Sequence, residues 1–232
     1  MPMKSIKIVC ISDTHCQHKA LTIPPCDILI HAGDFTHRGE EHLTVEFLEW
    51  FENQAQCTNR VFVSGNHDFL DERDPVKFRE LVKLYAPTSI YLNDESIIVD
   101  GYKIHGSPIS PRFHDWAFNR HRGQEIQQHW DMIPDDVEIL ITHSPVLGYG
   151  DKLSPYGSEP GKNIGCENLL QTIDSRLNKL RLTITGHIHE GAGTYKHGEI
   201  IVVNASVLDE RYRMRNKPIV VILPTKHTPD PI

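Results

Sequence analysis

The sequence predicts an α/β fold of two stacked sheets flanked by helices, within a chain of 232 residues. Three observations predict it. The first two thirds alternate short β-branched runs with amphipathic segments, as βαβ units require. The middle carries short runs parted by Asn-Asp and Asp-Gly turn signals, and similar short runs return near the end. Each sheet must bury a face, and helices on the outer faces complete the layers. The length suits a single domain over residues 1–232, with 224–232 expected as a loosely held tail.

Taken in order, buried strands are expected at Lys7 to Ile11, Asp27 to Ile30, Arg60 to Val63, Val137 to Ile141 and Arg181 to Thr185. A helix from about Glu41 to Gln54 puts Leu43, Phe47, Leu48 and Phe51 on one face. A second, Pro75 to Tyr85, opens with a proline suited to a first turn. Ser89 to Leu92, Ser96 to Val99 and Lys103 to His105 read as antiparallel hairpins. Gly193 to Tyr195, Ile200 to Asn204 and Ile219 to Leu223 look similar and supply a second sheet. Ser107 to Gly123 and Leu147 to Gly165 fit no regular element and are read as substrate-shaping loops.

Composition narrows the partners. A net charge of -7 offers no footprint for duplex DNA, whose binding depends on Lys and Arg neutralising phosphates. A small phosphorylated substrate remains compatible where metal ions supply the positive charge. The five cysteines form no CxxC pair and their number is odd, which fits a reducing, cytoplasmic setting. The apolar run Ile6 to Ile11 is too short to span a membrane and meets no cleavage signal, so no membrane association is expected.

The chemistry lies where the five buried runs end. Each is followed within a few residues by a metal-binding type: Asp13-Thr-His15, Gly-Asp34, Gly-Asn66-His67-Asp68, Thr-His143 and Gly-His187-Ile-His189. Ligands bind beyond the carboxyl ends of strands in open α/β sheets, so these side chains are expected to meet in one place. Glycines 33, 65 and 186 permit close backbone approach there. Singly, each motif has an ordinary explanation, because Asp after a strand is a common turn or cap and Gly-Asn-His-Asp is itself a turn sequence. Five in this order and context point to one site.

In that order, D-x-H, G-D, G-N-H-[D/E], H and G-H-x-H, the chain resembles the calcineurin-like metallophosphoesterases from about residue 6 to 206. More narrowly it resembles the metallophosphoesterase-domain branch named for fetal brain expression, regarded as class III cyclic-nucleotide phosphodiesterase-like. The segments that carry this are Thr88 to Asp94, Trp116 to Asn119 with Arg122 to Gln124, Ile139 to Pro145 and Asn204 to Ser206. The resemblance implies two divalent ions, Mn or an Fe/Mn pair, with Zn, Ni and Co also compatible with N and O donors. One ion would take Asp13, His15, Asp34 and His189; the other would take Asp34, Asn66, His143 and His187, with Asp34 bridging. Ions roughly 3.5–4 Å apart would share a water and generate the hydroxide that attacks phosphorus in line. His67 would stabilise the phosphoryl oxygens or protonate the leaving alkoxide, and Asp68 would orient it; Glu is common at that position in the branch.

The resulting expectation is a phosphodiesterase for a small nucleotide-type diester. Phosphomonoester hydrolysis at the same site is the alternative. A non-catalytic scaffold is the third reading, opposed by the intact Asp13, Asp34, His67 and His189. In the first long loop, His114, Phe118 and Asn119 are candidates for stacking a base and contacting phosphate, as is Asn204 after its strand. Of the 15 histidines, His31 and His105 read as core groups, whereas His18, His37, His42, His121, His129, His197 and His227 read as exposed. Oligomeric state has no signature in the sequence.

Overall fold

The computed structural model describes residues 5–156 and 159–226. In chain order its first strands are β1 (Ser5–Ile11), β2 (Cys26–Ala32), β3 (Cys57–Val63), β4 (Ile90–Tyr91), β5 (Glu95–Val99) and β6 (Tyr102–Ser107). A short ribbon, β7 (Ser110–Pro111) with β8 (Asn119–Arg120), precedes β9 (Ile139–Thr142), β10 (Leu182–Thr185), β11 (Gly193–His197), β12 (Ile200–Asn204) and β13 (Ile219–Pro224). The helices are α1 (Glu41–Glu52), α2 (Phe69–Arg73), α3 (Pro75–Tyr85), α4 (Gln124–Trp130) and α5 (Glu167–Arg176).

One sheet has the order β13-β1-β2-β3-β4 and the other β11-β12-β10-β9-β6-β5. The two pack face to face through Ile8, Cys10, Ile30 and Val61 on one side and Ile104, Ile141, Leu182 and Ile184 on the other. Successive side chains on a strand point to opposite faces. Val9, Ile11, Leu29 and Phe62 therefore face outward, under Phe47, Phe51 and Phe78 of α1 and α3. On the second sheet Leu140 lies beneath Ile126 and Trp130 of α4 and Leu169 and Ile173 of α5. Burial on both faces explains why these strands read as unbroken apolar runs. The two sheets flanked by helices agree with the expected fold class.

Several details differ from the sequence reading. The Ser89 to Leu92 run is no hairpin arm: its strand β4 lies parallel to β3 in the first sheet. Helix α3 returns the chain to the same end, and parallel pairing follows from that crossover. Strand β13 likewise joins the first sheet, antiparallel to β1, where its inward Val221 and Leu223 complete the inter-sheet core. Only β5 with β6 and β11 with β12 form the expected hairpins. Helices α4 and α5 were not anticipated; both are short and interrupted by polar residues. Pro224 ends a strand rather than beginning a tail, Lys226 pairs with Glu138, and residues 227–232 lie outside those described. His18 is fully buried rather than exposed, packed against Phe47 and Trp50.

Candidate metal centre

The five motif-bearing strands divide three and two between the sheets. Strands β1, β2 and β3 end at the same edge of the sandwich as β9 and β10. There the sheets are joined: Ser12 bridges to Ser206, Val207 N–H donates to Ser12 O at 3.1 Å, and His143 Nδ1–H donates to Ala32 O at 2.9 Å. The motif residues meet on this seam rather than along one sheet.

Each loop leaves its strand through a tight turn. Asp13, His15, Asp34 and His187 all have left-handed backbones, with φ of 54°, 38°, 58° and 69°. Such conformations are uncommon outside glycine and gather at functional sites, where surrounding structure holds them. The glycines make room. A Cβ on Gly33 would lie 2.7 Å from both His143 Nδ1 and Ser64 O, while one on Gly65 or Gly186 would collide with the carboxylate of Asp34 or Asp13.

Three of the four candidate ligand imidazoles share one orientation. His15 Nδ1–H donates to Thr36 O at 3.1 Å and His189 Nδ1–H to Asp209 O at 2.9 Å, matching His143 on Ala32 O. Each carbonyl fixes the tautomer and leaves the Nε2 lone pair facing the site, the arrangement that metal-binding histidines use. The Nε2 atoms of His143 and His15 lie 3.3 and 3.7 Å from Asp34 Oδ2, and that of His189 lies 3.5 Å from Asp13 Oδ1. Donor atoms of Asp13, His15 and His189 lie within 4.8 Å of one another, and so do those of Asp34, His143 and His187. Asn66 Oδ1 stands 2.9 Å from His143 Nε2, so two lone-pair donors converge on one point. That convergence, together with two buried carboxylates facing inward lone pairs, fits a pair of divalent cations.

The electrostatics split the ligand histidines: despite burial, Asp34 pushes His143 up to about 9 and Asp13 pushes His189 up to about 9, so without cations these two rings hold protons where a metal would otherwise sit. Burial would raise the Asp34 carboxyl, but the neighbouring imidazoles, His143 foremost, hold it well below the ordinary range. Burial pushes His187 down to about 3 and His15 to about 4, which keeps both rings neutral and able to ligate. Asp13 is held by the His187 N–H at 3.0 Å and by Ser206 Oγ–H at 2.7 Å. Ser206 carries no metal-binding signal in the sequence; the parallel pairing of β12 with β10 is what brings it to Asp13.

His67 lies beside this cluster, its Nε2 4.0 Å from Asp34 Oδ2. The expected orienting role of Asp68 is corrected here: His67 Nδ1–H donates instead to His37 O at 2.8 Å. The Asp68 carboxylate turns away and accepts from Asp34 N–H, Thr36 N–H, Gly65 N–H and Thr36 Oγ–H, at 2.9, 2.9, 2.8 and 2.7 Å. A carboxylate followed by a helix start is drawn to nearby backbone donors rather than to the adjacent ring.

A cavity of about 500 Å³ opens over the cluster, reaching Asp34, Asn66, His67, His187 and His189 at its floor. Its walls include Phe113, Trp116 and Tyr212, with Arg112, Arg122 and Lys162 at the rim. None of the four expected substrate contacts lines it. Phe118 is core, packed with the α4 and α5 residues. His114 is exposed against Phe113, and Asn119 holds the ribbon by donating to Phe113 O at 2.8 Å. Asn204 is fully buried and donates to Gly150 O and Ile188 O at 2.8 Å each, bracing the His187–His189 loop. The aromatic loop does face the cavity, but through Phe113 and Trp116. Alternation in an irregular loop cannot say which ring turns inward, and Tyr212 had no signal at all.

A two-sheet sandwich with paired Asp/His clusters on the seam defines a metal-binding phosphoesterase fold. The family model described as calcineurin-like phosphoesterase matches residues 6–191, and the chain belongs to that family of phosphoester hydrolases. It is 37% identical over 238 residues to metallophosphoesterase domain-containing protein 1 of Homo sapiens, covering 94% of this chain and 71% of that protein. Among solved structures it resembles a phosphopantetheinyl hydrolase from Mycobacterium tuberculosis, with a TM-score of 0.61 at 16% identity over 97% of this chain and 96% of the other. A dimetal phosphatase from Danio rerio aligns with a TM-score of 0.54 at 11% identity, over 94% and 91% of the respective chains. At those identities the two structures attest to the fold.

Proposed function

We propose that the protein is a phosphodiesterase acting on a small, nucleotide-type diester, with two divalent ions and Mn as the favoured metal. The observation that carries this reading is the cavity: clustered Asp and His donors at its floor, aromatic walls of Phe113, Trp116 and Tyr212, and a rim without spare positive charge. Each rim cation is already paired, Arg112 with Asp115, Arg122 with Glu167 and Lys162 with Glu159. A monoester brings two negative charges and a diester one, so a neutralised rim favours the diester. Of these walls Phe113 and Tyr212 are exposed and supply flat surfaces on which a base can stack.

Asp13, His15, Asp34 and His189 would hold one ion, and Asp34, Asn66, His143 and His187 the other. When bound, such a pair polarises phosphoryl oxygens and lowers the pKa of a water that attacks phosphorus. The chain's own groups do the rest. Carbonyls at 32, 36 and 209 fix the tautomers of His143, His15 and His189, and the buried seam excludes bulk water from Asp13. His67, fixed by His37 O, presents Nε2 toward Asp34 in the cavity, where it would stabilise phosphoryl oxygens or give a proton to the departing oxygen.

The five cysteines are all free, which supports a reducing cytoplasmic setting; among the described residues no helix is long and apolar enough to cross a membrane. No duplex DNA or membrane partner is proposed. The test is a panel of cyclic nucleotides, linear diesters and monoesters offered to Mn-loaded protein. Faster turnover of monoesters would replace the diesterase reading with a phosphatase. Absence of both turnover and metal uptake after reconstitution would leave a scaffold.

A further inference from the structure

Trp116 is the cavity aromatic that stacks on the candidate proton donor. Its ring lies on the His67 imidazole with centroids 4.2 Å apart and planes 27° from parallel. The Arg38 guanidinium carbon also packs on the Trp116 ring, 5.0 Å from the centroid. Residues 37 and 38 therefore grip His67 twice: the His37 carbonyl accepts its Nδ1–H at 2.8 Å, and Arg38 packs against the indole that covers its face. The indole is anchored too, because the next residue, Ala117, donates its N–H to Asn66 O at 3.1 Å. One hydrogen bond thus joins the loop bearing Trp116 to the loop bearing His67.

We propose that Trp116 is a positioning residue for His67, holding its Nε2 where it protonates the departing oxygen, and so sets which esters the enzyme can cleave. The inference rests on the phosphoesterase reading above. His15 meets the His67 ring edge-on, with centroids 4.6 Å apart, but an edge contact and one hydrogen bond at Nδ1 leave the ring free to tilt, and a flat partner on its face removes that tilt. Proton donation requires the donor within hydrogen-bond reach of the departing oxygen, and small misplacements are costly. In the proposed step the P–O bond to the leaving group breaks as His67 Nε2–H passes its proton to that oxygen, leaving an alcohol or phenol and a neutral imidazole. Nitrophenolate departs without this help; phenolate and alkoxide do not.

The experiment compares wild type, Trp116→Ala, Trp116→Phe, His67→Ala and the double alanine variant, all Mn-loaded, on two methyl aryl phosphates, one with a 4-nitrophenyl and one with a phenyl leaving group. Trp116→Ala is expected to lower kcat for the phenyl ester by ~10-fold or more and for the nitrophenyl ester by less than ~3-fold, within the range that general acids contribute. Trp116→Phe, which keeps a flat face, is expected to stay within about 3-fold of wild type on both. Adding Trp116→Ala to His67→Ala is expected to change little, since residues acting through one group are not additive. Equal loss on both esters in Trp116→Ala, or multiplying losses in the double variant, would overturn the positioning role while wild-type activity keeps the phosphoesterase reading intact. No turnover of either ester by wild type would remove that reading and the proposal together. Proton NMR of the imidazoles, with diamagnetic Zn in place of Mn, gives a readout independent of turnover: the His67 ring resonance, identified by its loss in His67→Ala, is expected to move when Trp116 is removed, and an unmoved resonance would also overturn the stack.

Discussion

The Asp68 carboxylate accepts the backbone N–H of Asp34 at 2.9 Å and that of Gly65 at 2.8 Å, so one buried side chain ties the two loops that carry Asp34, Asn66 and His67. Asp68→Ala leaves those donors without acceptors and is expected to cost roughly 3 kcal/mol or more in urea denaturation. Because His67 is held by His37 O, the residual activity keeps the wild-type ratio between good and poor leaving groups. A changed ratio would return Asp68 to the role of orienting His67.

Asp34 Oδ2 lies between the clusters, 3.7 Å from His15 Nε2 and 3.3 Å from His143 Nε2. Asp34→Asn is expected to reduce bound metal from two ions toward one or none, measured by atomic emission after dialysis. Ser206→Ala, which removes the hydroxyl that reaches Asp13 at 2.7 Å and Asn204 Oδ1 at 2.8 Å, is expected to weaken metal binding by roughly 10–100-fold, as supporting partners do. Chelation should lower the melting temperature of wild type more than that of Asp34→Asn, since a ligand bound only to the native state stabilises it.

Asn204→Ala removes the donor shared by Gly150 O and Ile188 O and is expected to destabilise the fold by roughly 2–3 kcal/mol. If Asn204 only braces the His187–His189 loop, KM falls or rises by the same factor for nucleotide and aryl diesters. Discrimination between them would show a substrate contact instead.

Phe118→Ala opens a void among Ile126, Trp130 and Leu169 and is expected to cost roughly 3–5 kcal/mol by thermal denaturation. Relative rates on nucleotide and aryl diesters should stay as in wild type, because Phe118 does not line the cavity.

Asp71 gives a pH signature away from the ligands. Burial raises its carboxyl from 3.8 to about 6, while Tyr91 donates a hydrogen bond to it. The folded state therefore binds more protons than the unfolded state between these values. The stability contributed by that proton is complete below about pH 4 and is lost as pH rises through about 6. Asp71→Asn, which keeps an acceptor for Tyr91, is expected to gain on wild type by on the order of 2–3 kcal/mol between pH 4 and 7. Parallel stability curves over that range would show the carboxyl to be unshifted.

Most of the site was legible from residue types at strand ends. The strands had to be apolar to be buried on both faces, and the residues that break those runs stood out against them. Histidine orientation was not legible, because it depends on carbonyls at 32, 36, 37 and 209 contributed by separate loops. Nor was the choice of Trp116 over Phe118: both are aromatic and two residues apart, and only packing against α4 buries one and leaves the other over His67.

By itself the sequence determined the fold class and the ordered set of donors, since both follow from local pattern: apolar period, turn residues and ligand chemistry. Tertiary structure decided which sheet each strand joined, where the donors met and what faces the substrate. Those depend on contacts between residues far apart in the chain, such as Ser12 with Ser206 and His143 with Ala32, which no local pattern encodes.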